Sequence, residues 1–401
     1  MAAKINAVIG QSGGPTAVIN QSLVGVIEEV VKSTHIDELL GARHGMRGIL
    51  SEQFIPLKNK PRELLERVAV TPAAALGSTR DKPKGDDCER MFKVFEKHNV
   101  HYFFYIGGND SADTARIIHD LSKAAGYDLQ VFHIPKTIDN DLRVHDHCPG
   151  FGSAAKFVAS AMIGDNFDNK SLPGIKIDVI MGRNAGFLTA ASVLARQRDD
   201  DGPHLIYVPE VPLAEDKFLA DVDAVYKRLG RCLVAVSEGV VNPTTGKTWT
   251  ESMVSTLDKD SHGNIQLSGT GALGDYMAHL CLTKLQPPAG KKLRVRADTF
   301  GYLQRSFPGY VSDVDAKEAR MVGQLAVQYS RRQGQNGSIA MKRISNEPYA
   351  VETFLTPLET VARETRRLDE SFIEGGNNIT AAFRAYAAPL VGPLPTVGVL
   401  E

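Results

Sequence analysis

The sequence predicts an α/β fold with two doubly wound, mostly parallel-sheet domains. Three times along the chain an apolar strand runs into a glycine turn and then into a helix, within residues 5–30, 102–121 and 175–196. This repeated order predicts right-handed crossover units, which build parallel sheets. A chain of 401 residues is too long for one ordinary core and suits two packed domains.

The composition favours small-molecule partners. The 46 basic residues nearly balance the 47 acidic ones, so no charge pattern indicates binding to nucleic acid or to an anionic membrane. No signal peptide is evident, and no run approaches the roughly 18 to 20 apolar residues of a membrane span. We therefore expect a cytoplasmic protein. The cysteines are widely separated and are expected to be buried free thiols without a zinc site: Cys88, Cys148, Cys232 and Cys281.

The first strand, at residues 5–9, is followed by Gly13 and Gly14. A helix is expected next, because residues 19–30 carry an apolar stripe at helical spacing. A glycine pair before a helix lets the backbone approach a phosphate closely. The same pair also suits an ordinary tight turn, so this segment alone leaves both interpretations open.

The second strand, at residues 102–106, runs into a glycine pair followed by Asn109 and Asp110. The side-chain oxygens of these two residues suit magnesium or phosphate-bound water. Alternatively, Asp110 or Ser111 caps a helix that begins near Ala112.

The third strand, at residues 131–134, ends in a loop that contains Lys136, Thr137, Asp139 and Asp141. A carboxylate can accept the proton of an alcohol, and a lysine can neutralise charge on a phosphoryl group. A solvated polar loop is the alternative interpretation. Because loops after parallel strands converge on one crevice, the two loops together predict phosphoryl transfer.

The remainder of the chain predicts strands at 204–208 and 232–237, a helix at 313–331 and a proline-rich tail at 389–399. Residues 240–291 resemble an insertion with its own helix at 275–285. Within this insertion, Gly269-Thr270-Gly271-Ala272-Leu273-Gly274 matches G-x-G-x-x-G after a possible short strand. A dehydrogenase would use such a motif, but no convincing βαβ unit surrounds it, so we interpret it as a chance match.

Taken in order, six motifs strongly resemble those of the 6-phosphofructokinase family. They are Ser12-Gly13-Gly14, Leu76-Gly77-Ser78-Thr79-Arg80, Gly107-Gly108-Asn109-Asp110-Ser111, Pro135-Lys136-Thr137-Ile138-Asp139-Asn140-Asp141, Met181-Gly182-Arg183 and Gly301-Tyr302-Leu303-Gln304-Arg305. The resemblance implies phosphoryl transfer to the 1-hydroxyl of fructose 6-phosphate, with Mg2+. It also implies a homodimer or homotetramer, and an active site in a cleft between the two domains that a second subunit completes.

The resemblance implies a donor-binding domain of residues 1–150 and about 306–365. Residues 151–305 and about 366–401 would form the fructose 6-phosphate domain. Within the site, Asp139 resembles the base that accepts the 1-hydroxyl proton, with Thr137 beside it. The implied substrate contacts are Thr137, Asp139, Met181, Gly182, Arg183, Glu238, Arg296, Tyr302 and Arg305.

Two departures from the ATP-using pattern imply pyrophosphate as the phosphoryl donor. Asp110 and Lys136 stand where ATP-dependent members usually carry glycine, and both changes recur in the pyrophosphate-dependent branch. A carboxylate at Asp110 would repel a nucleotide's α-phosphate and fill its space. Lys136 would supply positive charge to the leaving phosphate. Gly13 and Arg80 are the other implied donor contacts.

Other departures limit what the resemblance implies. Asn109 replaces an aspartate often associated with the metal, so a neutral oxygen or bridging water would serve there. Val24 and Glu28 replace effector-binding arginines, which predicts a non-allosteric enzyme. Lys176 is the nearest cation to the position of the arginine that a neighbouring subunit contributes. Two alternatives stay open: an ATP-dependent enzyme, and a non-catalytic regulatory subunit that binds sugar phosphate.

Overall fold

The computed structural model describes residues 5–83, 86–253, 270–286, 292–362 and 364–400. The chain divides into two compact units. The first comprises Met1–Ser153 and Arg305–Arg366, and the second comprises Ala154–Gln304 and Arg367–Glu401. Each unit contains its own mostly or wholly parallel sheet, which confirms the predicted α/β class.

The strands and helices of the described residues follow in chain order. The strands are β1 (Asn6–Gln11), β2 (Glu38–Ala42), β3 (Phe54–Pro56), β4 (Val100–Gly107), β5 (Gln130–Pro135), β6 (Ile175–Ile180), β7 (Leu205–Tyr207), β8 (Cys232–Ser237), β9 (Val295–Thr299), β10 (Gly337–Asn346), β11 (Tyr349–Thr356), β12 (Ile373–Glu374) and β13 (Asn378–Ile379). The α-helices are α1 (Ile19–Lys32), α2 (Met46–Leu50), α3 (Arg62–Ala69), α4 (Asp87–Lys97), α5 (Asn109–Ala124), α6 (Phe151–Ser171), α7 (Phe187–Ala190), α8 (Glu215–Leu229), α9 (Trp249–Met253), α10 (Ala272–Lys284), α11 (Leu303–Ser306), α12 (Asp313–Ser330) and α13 (Ala381–Val391).

The sheet of the first unit has the order β11-β10-β5-β4-β1-β2-β3 among the described residues. Its inner strands pair in parallel, whereas β3 and β11 are antiparallel edge strands. The chain adds β2 and β3 on one side of β1 and the later strands on the other side. The strand order therefore reverses at β1, and the carboxyl ends of β1 and β4 flank the position where open α/β sheets bind ligands.

Apolar side chains cover both faces of this sheet. Helices α1, α3 and α12 pack on one face, and α2, α4 and α5 pack on the other. The stripe expected on α1 is buried, as the sequence predicted, at Ile19, Leu23, Val26, Ile27 and Val30. Burying each such side chain contributes roughly 1.5–3 kcal/mol to folding, so α1 is held mainly by its tertiary packing.

The sheet of the second unit has the order β7-β8-β6-β9, and all its pairings are parallel. The bounds of β8 coincide with the strand predicted at 232–237, and its six residues are all buried. Helices α8, α9 and α10 supply apolar side chains to the same core. A buried apolar strand of this kind is typical of a parallel sheet that is covered by helices.

The structure corrects three local predictions and adds one feature that was not predicted. Helix α5 begins at Asn109 rather than near Ala112, and its cap residue is Gly108 without a side-chain hydrogen bond, so capping by Asp110 or Ser111 is wrong. The helix predicted at 187–196 is α7 followed by a 3-10 turn. Pro389 lies inside α13 rather than in an extended tail. The antiparallel hairpin of β10 and β11 was not predicted.

The described residues bear on the predictions for the cysteines and for a membrane span, but not on the prediction for the G-x-G-x-x-G segment. All four cysteines are buried free thiols, as expected. Within the described part of the chain, no helix has the length and hydropathy that crossing a bilayer requires. The short strand expected before the G-x-G-x-x-G match, and Gly269 itself, lie outside the described residues.

Helix α12 is tied to the start of α6 through a buried carboxylate. Asp315, in the first turn of α12, accepts hydrogen bonds from the backbone N–H groups of Gly150 at 2.8 Å and Ser153 at 2.9 Å. The Ser153 hydroxyl donates to the same carboxylate. These bonds fix the segment next to the loop that contains Lys136 and Thr137, because Thr137 N donates to the carbonyl oxygen of residue 149.

We expect Asp315→Ala to lower the free energy of unfolding by about 2 to 4 kcal/mol, because two buried amide donors lose their acceptor. Chemical denaturation followed by circular dichroism measures this loss. Asp313→Ala is the matched control, since Asp313 is exposed in the same helical turn. Equal effects of the two substitutions would contradict the role given to Asp315.

Candidate active site

The turns after β1 and β4 meet where the strand order reverses. Gln11 pairs with Ile106, and the next amide, Ser12 N, donates to the Ile106 carbonyl at 2.9 Å. Lys136 N donates to the Gly107 carbonyl, also at 2.9 Å, which brings in the loop after β5. Three loops that are far apart in sequence are thus joined by backbone hydrogen bonds at one edge of the sheet.

Lys136 extends across this edge to the glycine turn. Its side chain is 4% exposed, and its Nζ donates to the Gly14 carbonyl oxygen at 2.6 Å. Gly13 has φ of +76°, and a Cβ atom there would lie 3.2 Å from the Lys136 Nζ. Glycine is therefore required at this position both for the backbone conformation and for the approach of the ammonium.

Three cations lie near one another here. Burial lowers the pKa of Lys136 to about 8, and the positive charges of Arg305 and Arg80 contribute to this shift. Arg305 also lies against the glycine turn, since a Cβ atom at Gly14 would be 3.0 Å from its Nη1. A bound anion would relieve the repulsion among these cations, so the arrangement suits a phosphate group.

The loop after β5 presents two carboxylates beside a hydroxyl. Thr137 Oγ1 donates to Asp141 Oδ1 at 3.0 Å and accepts a hydrogen bond from Asp139 N at 3.1 Å. Burial raises the pKa of Asp141, and the Thr137 hydroxyl opposes that shift. The hydroxyl thus orders the short segment between the two carboxylates, which leaves Asp139 on a constrained backbone.

Distant residues anchor the same loop. Asn140 has φ of +57°, a conformation that asparagine tolerates better than most residues, and its Oδ1 accepts from Cys148 N at 3.1 Å. Arg366 donates through Nη2 to the Asn140 carbonyl at 2.9 Å, and its backbone N–H donates to the Asp141 carbonyl at 2.7 Å. The sequence interpretation missed Arg366, because no local signal connects it to a loop more than 200 residues away.

Asn109 and Asp110 occupy the first turn of α5 rather than a loop. Asn109 Nδ2 donates to the Glu364 carbonyl at 2.6 Å. Asp110 forms an ion pair with Lys82, with Nζ 2.7 Å from Oδ1, and its side chain is 57% exposed. Sequence reasoning did not assign Lys82, although it stands two residues after the predicted donor contact Arg80.

Part of the expected sugar-binding set meets at the carboxyl ends of β6 and β8 in the second unit, whereas Arg296 lies opposite Lys176 near the amino end of β6. The turn from Met181 to Arg183 follows β6, and Glu238 follows the neighbouring strand β8. Ser237 Oγ donates to the Gly182 carbonyl at 2.7 Å, and Glu238 N donates to the Ile180 carbonyl at 2.9 Å. Gly182 has φ of +128°, which a side chain rarely allows. Glu238 is buried.

A buried glutamine joins this turn to the segment that carries Tyr302. Gln304 accepts from Met181 N at 3.2 Å and donates to the Gly301 carbonyl at 2.8 Å. Its place in the motif of residues 301–305 was noted from the sequence, but no role was assigned to it. Tyr302 is exposed. Arg296 lies on β9.

The predicted site residues therefore fall into two groups. The first unit contains Gly13, Arg80, Asn109, Asp110, Lys136, Thr137, Asp139 and Arg305, and the second contains Met181, Gly182, Arg183, Glu238, Arg296 and Tyr302. Arg305 was expected to bind the sugar phosphate together with Arg296. The structure locates it against Gly14, beside Lys136.

Parallel α/β sheets with a glycine turn before a helix form a class of fold in which phosphorylated ligands commonly bind. Within that class, a sequence model described as phosphofructokinase matches residues 6–329. The chain belongs to the phosphofructokinase family, as the six motifs predicted.

Relatives in this family match the chain over almost its whole length. A pyrophosphate–fructose 6-phosphate 1-phosphotransferase of Rhodospirillum rubrum is 52% identical and covers 96% of this chain and 94% of its own. A protein of the same name from Xanthomonas campestris is 38% identical, over 96% of this chain and 91% of its own. The crystal structure of a pyrophosphate-dependent phosphofructokinase from Nitrosospira multiformis, 35% identical, matches with a TM-score of 0.83 over 100% of this chain and 95% of its own.

We expect Lys136→Met to raise the free energy of unfolding by roughly 1 to 3 kcal/mol at neutral pH, because the pKa of about 8 means that burying the ammonium opposes folding. Urea denaturation measures the difference. The gain should shrink as the pH rises from about 8 towards 10.5. In this range the folded lysine has lost its proton and the unfolded lysine still binds one, so the cost of burying a charge disappears. A pH-independent difference would contradict the lowered pKa.

Proposed function

We propose that the protein transfers a phosphoryl group from pyrophosphate to the 1-hydroxyl of fructose 6-phosphate, giving fructose 1,6-bisphosphate and phosphate. The observation that carries the proposal is the buried Lys136 ammonium on the Gly13–Gly14 turn. It provides a compact positive site for a small phosphate donor. The names of the relatives that cover nearly the whole chain support the same reaction.

The choice of pyrophosphate over ATP rests on two side chains. Lys136 offers its ammonium to the phosphate that leaves, and Arg80 and Arg305 add to the positive field. Asp110 adds a carboxylate at the start of α5, held by Lys82. A nucleotide would bring an additional phosphate towards this carboxylate, and the repulsion would disfavour it.

Asp139 is the proposed general base. It accepts the proton of the 1-hydroxyl while that oxygen forms a bond to the transferred phosphorus, and the bond to the bridging oxygen of pyrophosphate breaks. Charge spreads over the phosphoryl oxygens during this step, and Lys136 and Thr137 are proposed to stabilise it. The anchoring of the loop through Asn140 and Arg366 supports this role, because a fixed base loses little entropy on reaction.

The sugar phosphate is proposed to contact residues of the second unit. Met181, Gly182 and Arg183 form the turn that would follow the sugar backbone, and Glu238 would accept hydrogen bonds from sugar hydroxyls. Arg296 and Tyr302 are proposed for the 6-phosphate end, because a guanidinium group forms paired hydrogen bonds with phosphate oxygens.

Magnesium is part of the proposal, and the residues at the start of α5 fit an ion held mainly by the donor. Asn109 contributes a neutral amide whose nitrogen is engaged by Glu364, and Asp110 is engaged by Lys82. Oxygen ligands of this type suit Mg2+, which commonly keeps several waters and substrate phosphates in its shell. When bound, the ion would neutralise charge on the phosphate oxygens.

We also propose a reversible, non-allosteric enzyme that works in the cytoplasm as a homodimer or homotetramer. Pyrophosphate and the product ester have bonds of similar free energy, so neither direction is strongly favoured. Val24 is buried, and Glu28 pairs with Arg320, with Oε1 2.6 Å from Nη2. Neither side chain could serve the effector-binding role of the arginines found in regulated relatives.

The test is a donor comparison. Purified protein with fructose 6-phosphate and Mg2+ should form fructose 1,6-bisphosphate with pyrophosphate and little with ATP, measured by a coupled assay. In the double variant Asp110→Gly/Lys136→Gly, pyrophosphate turnover should fall and relative ATP use should rise. Substantial turnover with ATP and none with pyrophosphate would overturn the donor assignment.

We expect Asp139→Asn to lower kcat by about two to four orders of magnitude, the scale of removing a general base. Calorimetric titration should find fructose 6-phosphate binding largely retained, because the amide keeps the shape of the carboxylate. Asp120→Asn is the control for a similar change at an exposed position on α5. If the unmodified protein binds sugar phosphate but has no turnover with either donor, the regulatory-subunit alternative is correct.

A further inference from the structure

Three aspartates of the second unit converge on one face of its sheet. Strands β6 and β9 pair in parallel, with Lys176 opposite Arg296 and Asp178 opposite Asp298. Paired residues of parallel strands point to the same face. Asp165 approaches this face from α6, and one oxygen from each of the three carboxylates lies within 4.8 Å of the others.

Asp178 is the unusual member of this group. It is completely buried in the middle of a strand whose other interior residues are apolar. Neither of its carboxylate oxygens accepts a hydrogen bond from a donor group among the residues that the structure describes, and its polar neighbour is the Asp165 carboxyl group. An isolated buried carboxylate is strongly unfavourable, so either a proton or a cation must neutralise it.

Lys176 forms its ion pairs with the other two carboxylates and attracts Asp178 only from a greater distance. Its Nζ lies 3.2 Å from Asp165 Oδ1 and 2.6 Å from Asp298 Oδ2. These ion pairs hold Lys176 within its own chain, and its assignment as the replacement for a neighbouring subunit's arginine stays a prediction. Each of the two carboxylates has a second oxygen that these ion pairs do not use.

With Asp178 ionised, the three carboxylates of this face outnumber the two cations that lie beside them, Lys176 and Arg296. One ammonium faces three carboxylates, and the nearby Arg296 directs Nη1 to the Val295 carbonyl at 2.8 Å. Asp178 forms the buried end of the cluster, whereas Asp298 is 61% exposed at the other end. A small cation could therefore reach the buried carboxylate from solvent.

We propose that Asp165, Asp178 and Asp298 bind a divalent cation of the oxygen-preferring class, such as Mg2+, Mn2+ or Ca2+. Three carboxylates are suitable ligands for such ions, and waters can complete the shell on the exposed side. The ion would neutralise Asp178 and join β6, β9 and α6 at one point. This site lies in the second unit and is additional to the magnesium that accompanies the donor.

The test uses Mn2+ as the probe and the full chain, freed of metal with a chelator. Pyrophosphate and sugar phosphate are left out, so that no substrate complex contributes. Electron paramagnetic resonance should detect one more bound Mn2+ per chain in the unmodified protein than in Asp178→Asn. Asp298→Asn, which alters only the exposed end of the cluster, should weaken Mn2+ binding by at least ~10-fold. Even the loss of a residue that only hydrogen-bonds to a metal ligand has an effect of this size.

Asp168→Asn is the matched control. Asp168 is exposed on α6, three residues after Asp165, and lines the same cavity as Lys176 and Asp298 without belonging to the cluster. This variant changes the charge by the same amount and should keep the Mn2+ site. Equal loss of binding in Asp168→Asn and Asp298→Asn would overturn the proposal, because it would indicate only a diffuse effect of charge.

Thermal unfolding provides an independent measurement. Mn2+ should raise the midpoint of the unmodified protein and of Asp168→Asn, but not that of Asp178→Asn. Equal Mn2+ binding and equal midpoints in all these proteins would overturn the proposal and indicate that a proton neutralises Asp178. If Asp178→Asn fails to fold, the comparison of Asp298→Asn with Asp168→Asn decides by itself. None of these results depends on the proposed reaction.

Discussion

The parallel pairing of β1 with β4 is the constraint on which the first unit depends. Because the strand order reverses at β1, the ends of these strands leave an open position that neighbouring helices do not cover. The hydrogen bonds from Ser12 to Ile106 and from Lys136 to Gly107 then extend the sheet's order into the loops. Residues as distant in sequence as Gly14 and Lys136 can meet only because of this pairing.

The sequence predicted those parts of the fold that have a regular local pattern. Strand β8 is apolar in its first five residues and α1 has one wide apolar stripe, so both were found. Helix α6 has no such stripe and escaped notice. The hairpin strand β10 is buried in its first half and alternates only in its second half, so neither strand pattern covers it. When other elements bury a segment from several sides, its apolar residues no longer follow a helical or strand period. Prediction from periodicity then fails.

The residues of the candidate site also divide into those that the sequence indicated and those that it did not. Residue type and spacing pointed to Lys136, Thr137 and Asp139 from within one short loop, and the structure locates that loop at the glycine turn. The groups that orient such residues were missed, because their contacts bridge large sequence separations. Arg366 reaches Asn140 across 226 positions, and Glu364 holds Asn109 across 255. The candidate reacting side chains are neighbours in the sequence, whereas the residues that orient them come close only in the folded chain.

The difference in exposure between Lys136 and Asp110 has a consequence for how donor choice depends on ionic strength. The Lys136 ammonium is enclosed by protein, so dissolved salt screens its field only weakly. The side chains of Asp110 and Lys82 are more open to water, 57% and 33% exposed, and mobile ions can approach Asp110. The attraction of Lys136 for pyrophosphate and the repulsion of a nucleotide by Asp110 would therefore depend differently on ionic strength. Discrimination between donors would be sharpest in dilute buffer and would weaken in concentrated electrolyte.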